Sequence, residues 1–93
     1  MVEELKQIRI INDYDVYDFA NKVGVSHTWI YSTESGKREI SEKYIKKLCK
    51  VFPTHKRYLL KAFYNYKIEM LNKQIVEYKN KLKVIENEKN WHY

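Results

Sequence analysis

Three features of the sequence predict an all-α fold. Gly24, Gly36 and Pro53 are the only glycines and proline among 93 residues, so little interrupts helical backbone. Between these breaks the apolar residues recur at spacings of three and four, the mark of helices with one buried side. Beyond Thr54 neither glycine nor proline occurs again, which leaves room for one last helix much longer than the rest.

The elements follow in order. Leu5, Ile8 and Ile11 form an apolar stripe that predicts a first helix from about Val2 to Asn12, with all three facing inward. Asp13 to Asp15 makes a turn. Asp15 is placed to cap a second helix whose apolar side is Val16, Phe19, Ala20 and Val23, with Asp18 near the positive end of its dipole. Gly24 ends it. Ser26 caps a third helix through about Thr33, and Gly36 supplies the left-handed backbone on which many helices stop. Ser41 opens a fourth helix with Tyr44, Ile45, Leu48, Cys49 and Phe52 inward, closed by Pro53. Thr54 is then a suitable cap for a fifth helix from His55 to about Asn90, roughly 50 Å long.

A helix of that length outruns a small domain and needs a partner. Tyr64, Ile68, Leu71, Ile75, Tyr78, Leu82 and Ile85 alternate spacings of four and three, the seam of a short coiled coil. The alternative is that Tyr64 to Leu71 folds back and the tail frays. The later seam residues lie too far from a sixty-residue domain to be covered by it, which favours a homodimer through this helix. Lys81 and Glu86 flank the seam where they can pair across a parallel dimer. The expected organisation is a folded unit over 1–60 and a dimerisation helix over 61–93.

The chain carries 18 Lys and Arg against 12 Asp and Glu, formally +6. Residues 1–40 hold five cations and seven acids, net −2, and residues 41–93 hold thirteen and five, net +8. The excess cations therefore lie in the second half, where a polyanionic partner or simple solubility would use them. Lys43, Lys46, Lys47 and Lys50 share one side of the fourth helix, either as a solvated face or as phosphate contacts, with Lys43 best placed for the latter. The lysines from Lys73 to Lys89 read as solubility and as pairs with Glu69 and Glu77.

The other chemistry is sparse. A single Cys49 permits no internal disulfide and reads as core packing. His27, His55 and His92 are far apart in sequence, so no metal site is expected, and no pair of groups is spaced for catalysis or for holding a cofactor. The opening MVEELKQIRI matches neither a secretory signal nor a membrane span, so no membrane association and a cytoplasmic location are expected.

Two short helices joined at a tight glycine turn form an arrangement that lets the second helix enter a DNA major groove, which is about 12 Å wide. With Ile30 as its inward anchor, the third helix turns His27, Thr28, Tyr31 and Ser32 outward and leaves Trp29 at the margin. Over Leu5 to about Leu60, and most closely over DFANKVGVSHTWIYSTESGKR, the sequence resembles the Xre-type helix-turn-helix regulators, the family of phage Cro and CI repressors. The features that match are Phe19-Ala20, Gly24-Val25, Ser26 as cap, Ile30 inward, and Glu34 two residues before Gly36-Lys37-Arg38.

The resemblance implies a lambda-repressor-like domain of five helices, dimeric on double-stranded DNA, whose third helix reads bases. It places His27, Thr28 and Ser32 at base-reading positions, with Tyr31 and Trp29 beside them in the groove or along the backbone. Lys37, Arg38, Ser41 and Lys43 occupy phosphate-contacting positions, and Arg9 and Glu34 occupy the positions of a structural ion pair. Three positions depart from the family pattern. Val16 stands where many members have a glutamine that binds phosphate and braces the reading helix, Thr33 where a larger aliphatic is usual, and Trp29 where a small residue is usual. The indole either fills the space the threonine leaves or lies along the sugar-phosphate chain.

The function expected is a sequence-specific regulator, a repressor of a phage or other mobile element, bound as a dimer to a pseudo-palindromic operator. The alternative is an adaptor or antirepressor that captures a second regulatory protein through its coiled coil and keeps the helix-turn-helix as scaffold, a reading supported by the acidic balance of residues 1–40.

Overall fold

In the computed structural model, which describes residues 1–88, four short helices surround one core and the fifth leaves it. They are α1 (Val2–Ile11), α2 (Val16–Val23), α3 (His27–Glu34), α4 (Glu42–Val51) and α5 (Lys56–Glu86), with a 3-10 turn over Pro53–His55. The overall extents of 61 × 26 × 19 Å reflect α5, whose 31 residues span about 46 Å at the helical rise.

Three helix starts are built as the cap residues dictate. Asp15 accepts from Asp18 N at 2.8 Å, Ser26 from Trp29 N at 3.1 Å and Ser41 from Tyr44 N at 3.2 Å. Each satisfies a backbone donor that the first helical turn leaves free, typically worth about 1 kcal/mol. The core draws on every helix: Leu5 and Ile8, Phe19 and Val23, Ile30, Tyr44, Ile45 and Leu48, then Leu59 and Phe63. Phe19 and Phe52 stack at 5.6 Å, and Tyr14 meets both rings edge-on at 6.0 and 6.1 Å. Cys49 is buried in this core, and the burial pushes its thiol pKa up, against the opposing charge of Lys56.

Two expectations need correction. Ile11 is 69% exposed rather than inward, because a strict three-residue spacing drifts about 60° around the helix at each step. By the second step, from Ile8 to Ile11, the side chain has left the stripe. Asn12 lies next to it, donating to Ile8 O at 2.7 Å and meeting His55 Nε2 at 3.3 Å. Thr54 does not cap α5: the chain enters through the 3-10 turn, closed by His55 N donating to Phe52 O at 3.0 Å, and no side chain caps the helix. The end expected near Asn90 lies outside the described residues, as do Lys89 and His92.

On α5 the domain-facing side runs through Leu59, Phe63 and Tyr66, whose hydroxyl accepts from Ile40 N at 3.4 Å. Lys67 adds an ion pair to Glu39 at 3.6 Å. From Leu71 to Glu88 every residue is exposed. The pairs Glu69–Lys73 and Glu77–Lys81 are not among the ion pairs of the described residues; Lys81 Nζ lies over the Tyr78 ring at 5.6 Å instead.

The two ends of the α1–α3 layer are tied by Arg9 and Glu34. Arg9 Nε donates to Glu34 Oε2 at 2.9 Å and Nη2 to Oε1 at 2.9 Å, while Nη1 donates to Tyr14 O at 3.1 Å. Both side chains are mostly buried, and hydrogen bonding to Glu34 raises the Arg9 pKa further, so the guanidinium stays charged. Removing one partner strands the other. Arg9→Met should lower unfolding stability by about 2–3 kcal/mol. Arg9→Met with Glu34→Met should recover most of that loss, as urea titrations of the two variants will show; an additive loss would mean that the two side chains act independently.

Candidate nucleic-acid interface

Gly24 sets the direction of α3. At φ 83°, ψ 38° it occupies the left-handed region, which side chains make costly. Its N–H and that of Val25 both return to Ala20 O, at 2.8 and 3.0 Å, so the bend closes α2 as it opens the next helix. Lys47 Nζ reaches Gly24 O at 3.4 Å from α4. Ser26 then starts α3, which Ile30 and Thr33 anchor at 0% and 2% exposure.

With those two inward, the helix must turn its other side out. His27, Thr28 and Tyr31 are exposed and Ser32 is half-buried. The Ser32 carbonyl receives Lys37 N at 3.1 Å and Arg38 N at 3.2 Å. Gly36, at φ 77°, makes that return possible and folds Lys37 and Arg38 back over the end of α3.

Here Trp29 finds its place. The indole is half-buried and packs against the core edge, with Tyr44 at 5.8 Å and the Arg38 guanidinium carbon 3.9 Å from its ring centroid. Its Nε1 is closed off from solvent and has no hydrogen-bond partner among the described residues. The residue expected along the DNA backbone therefore presents no donor outward; what it presents is a face with Arg38 lying on it. Thr33 donates its hydroxyl to Ile30 O at 2.9 Å, which satisfies a polar group in the core. Burial beside it pushes the Tyr44 phenol pKa up, with a hydrogen bond to Thr33 opposing the shift.

The two flanks of α3 differ. On the α4 side an open groove of about 740 Å³ is lined by Val25, Trp29 and Tyr44 together with Ser41, Lys43, Lys46, Lys47 and Lys50. Its floor is apolar and its rim cationic, although Lys46 is partly engaged by Glu42 at 3.7 Å. Lys37, Arg38 and Lys43 are exposed. Ser41 is exposed too, with its hydroxyl oxygen already accepting the α4 cap bond.

The α2 side is aromatic. Tyr17 and His27 lie 4.8 Å apart between centroids at 35°, and Tyr31 meets His27 edge-on at 6.3 Å. Tyr17 is 57% exposed, a residue that sequence reasoning passed over. The signal was its position: an aromatic on the polar side of an amphipathic helix has no core to enter.

The seam residues stand apart from this surface. Tyr64, Ile68, Leu71, Ile75, Tyr78, Leu82 and Ile85 are 42–67% exposed, centred about 120° round α5 from its domain-facing side at 100° per residue. No group of His, Cys, Asp and Glu among the described residues is placed to hold a metal, and no described helix is long and apolar enough to cross a membrane.

What the geometry offers is one short helix, anchored at Ile30 and Thr33, with polar tips outward and cations along one side. A family model described as helix-turn-helix matches residues 5–59, more than half of the chain, from within α1 through the whole of α2, α3 and α4. No curated protein and no solved structure matches the chain significantly. The chain belongs to the Xre-type helix-turn-helix family, and with it to the DNA-binding transcription regulators.

Proposed function

We propose that this regulator is a sequence-specific repressor from a phage or other mobile element, which binds a pseudo-palindromic operator as a homodimer held by α5. The observation that carries the reading is the outward surface of α3, where His27, Thr28 and Tyr31 are exposed beside a groove rimmed by lysines. A major groove takes one helix with its side chains. His27, Thr28, Tyr31 and Ser32 meet base edges, while Lys37, Arg38, Ser41 and Lys43 meet the phosphates that hold the helix in register. Trp29 serves the backbone through Arg38.

The α5 seam supports the dimer. Its apolar side chains face away from their own domain, and water is a poor neighbour for seven of them in one line. Ile68 and Ile75 at one seam position, with Leu71 at the other, suit two parallel strands, whereas Leu82 and Ile85 reverse that order in the last heptad. A two-fold axis along α5 then relates two domains over residues 1–60, each offering one α3 to a half-site, with half-sites about one helical turn of DNA apart. Occupying such a site within a promoter represses. Neither a cofactor nor a catalytic step enters this scheme, and it operates in the cytoplasm, where the DNA is.

Selection of bound sequences from random duplex DNA should return a two-fold symmetric site. Thr28→Ala should relax one base pair of each half-site by about 5- to 150-fold. Molar mass in solution should equal two chains, falling to one in Ile75→Asp. No selected sequence, with a dimer that captures a second regulatory protein, would favour the adaptor reading.

Salt dependence tests the phosphate contacts. Log affinity against log salt should lose about 0.9 of its slope when Arg38 becomes Ala. Trp29→Leu, which keeps apolar bulk and removes the aromatic face, should cost part of the same slope and nothing further in the Arg38→Ala background. An equal loss in both backgrounds would give Trp29 a contact of its own.

A further inference from the structure

We infer that Tyr17, which lies on α2 and outside the reading helix, is a positioning residue that holds His27 at the angle from which its imidazole meets a base edge. The inference rests on the DNA-reading proposal for α3 and adds a residue to it.

The bend at Gly24 and Ser26 brings His27, the first residue of α3, against the start of α2. Val16 has no polar group and packs half-buried against the core, so it offers His27 nothing. The next residue does. Phe19 and Ala20, at 2% and 3% exposure, fix the backbone of α2, and Tyr17 stands on that fixed backbone with its ring 4.8 Å from the imidazole.

The physical reason for such a contact is rotamer freedom. A histidine at the first position of a helix, exposed to water, samples several side-chain orientations, and a specific base contact must select one of them. A tyrosine has few rotamers of its own and a large flat face, so it restricts its neighbour at little entropic cost to itself. Tyr31 limits the imidazole on another side, edge-on at 6.3 Å. The tilted Tyr17 ring, at 35° to the imidazole, covers part of one face. The two ring nitrogens lie in the plane, where a donor and an acceptor remain available to a base. In this chain an aromatic contact from residue 17 does the bracing that no side chain at residue 16 can do.

The test is binding-site selection from random duplex DNA by the full-length protein and by Tyr17→Ala, Tyr17→Phe, His27→Ala and the Tyr17→Ala/His27→Ala double variant. Thermal melts will check that each is folded. His27→Ala should relax one base pair in each half-site. Tyr17→Ala should relax that same base pair by about three- to tenfold, the size expected of one aromatic contact. The double variant should be no worse than His27→Ala, and Tyr17→Phe should restore the wild-type preference.

A second readout needs no DNA. The His27 ring-proton resonances of the free protein, displaced by the Tyr17 ring, should move towards those of an unstructured histidine in Tyr17→Ala and stay displaced in Tyr17→Phe. Selection of the His27 base pair surviving in Tyr17→Ala would overturn the inference. So would equal loss at every position, or a double variant worse than His27→Ala. If the wild-type protein selects no sequence, the reading of α3 fails and takes this role with it. The histidine resonances would then still report whether the Tyr17–His27 ring contact exists, so the two failures are distinguishable.

Discussion

An eight-residue helix does not hold its shape in water. Nucleation costs more than two turns of hydrogen bonds return, and isolated helices below about 12 residues are marginal. α3 is eight residues long, with no acid in its first turn and no base in its last. The base-reading role proposed for α3 depends on fixing that helix from outside. Gly24 and Ser26 fix its start, Ile30 and Thr33 its underside, and Arg9 its end through Glu34. Because Arg9 also bonds Tyr14 O, the same guanidinium holds the α1–α2 turn and the end of α3, so a shift of either end is felt at the other.

The two flanks of α3 show how an immobilised helix is furnished. Towards α4 the side chains are cationic, and Trp29 contributes its face to Arg38. A guanidinium resting on an indole loses less freedom on meeting a phosphate than one free in water, since part of its ordering is already done. Towards α2 the side chains are aromatic, and Asp15 and Asp18 at the start of that helix make it a poor neighbour for phosphate. In the proposed function one flank supplies affinity and the other orientation.

Much of the fold was legible in the residues alone. The three caps at Asp15, Ser26 and Ser41 are local chemistry, and local chemistry is what a sequence displays most directly. The Arg9–Glu34 pairing came from resemblance, since 25 residues separate the partners and nothing local joins them. The misreadings have physical causes. Counting threes puts Ile11 inward, whereas the helix turns by 100° per residue. Thr54 is a good cap for a helix that starts at once, but Pro53 set up a 3-10 turn first. The packing of Trp29 is not written in local sequence because it depends on Arg38, nine residues on, folding back through Gly36. Tyr17 was passed over because its partner lies across the bend at Gly24, in a helix whose orientation no spacing specifies.

α5 poses a separate problem of the same kind, a helix longer than its domain with its apolar side bare. A second copy of that side is the simplest cover, and it would carry two α3 helices on one axis. The central claim, that the outward side of α3 is the surface that meets DNA, is tested most directly by following backbone amide resonances as a selected duplex is added. The account predicts the largest changes over residues 27–32 and 37–43, with α5 beyond Met70 little affected. Changes confined to α5, with 27–32 unmoved, would contradict it.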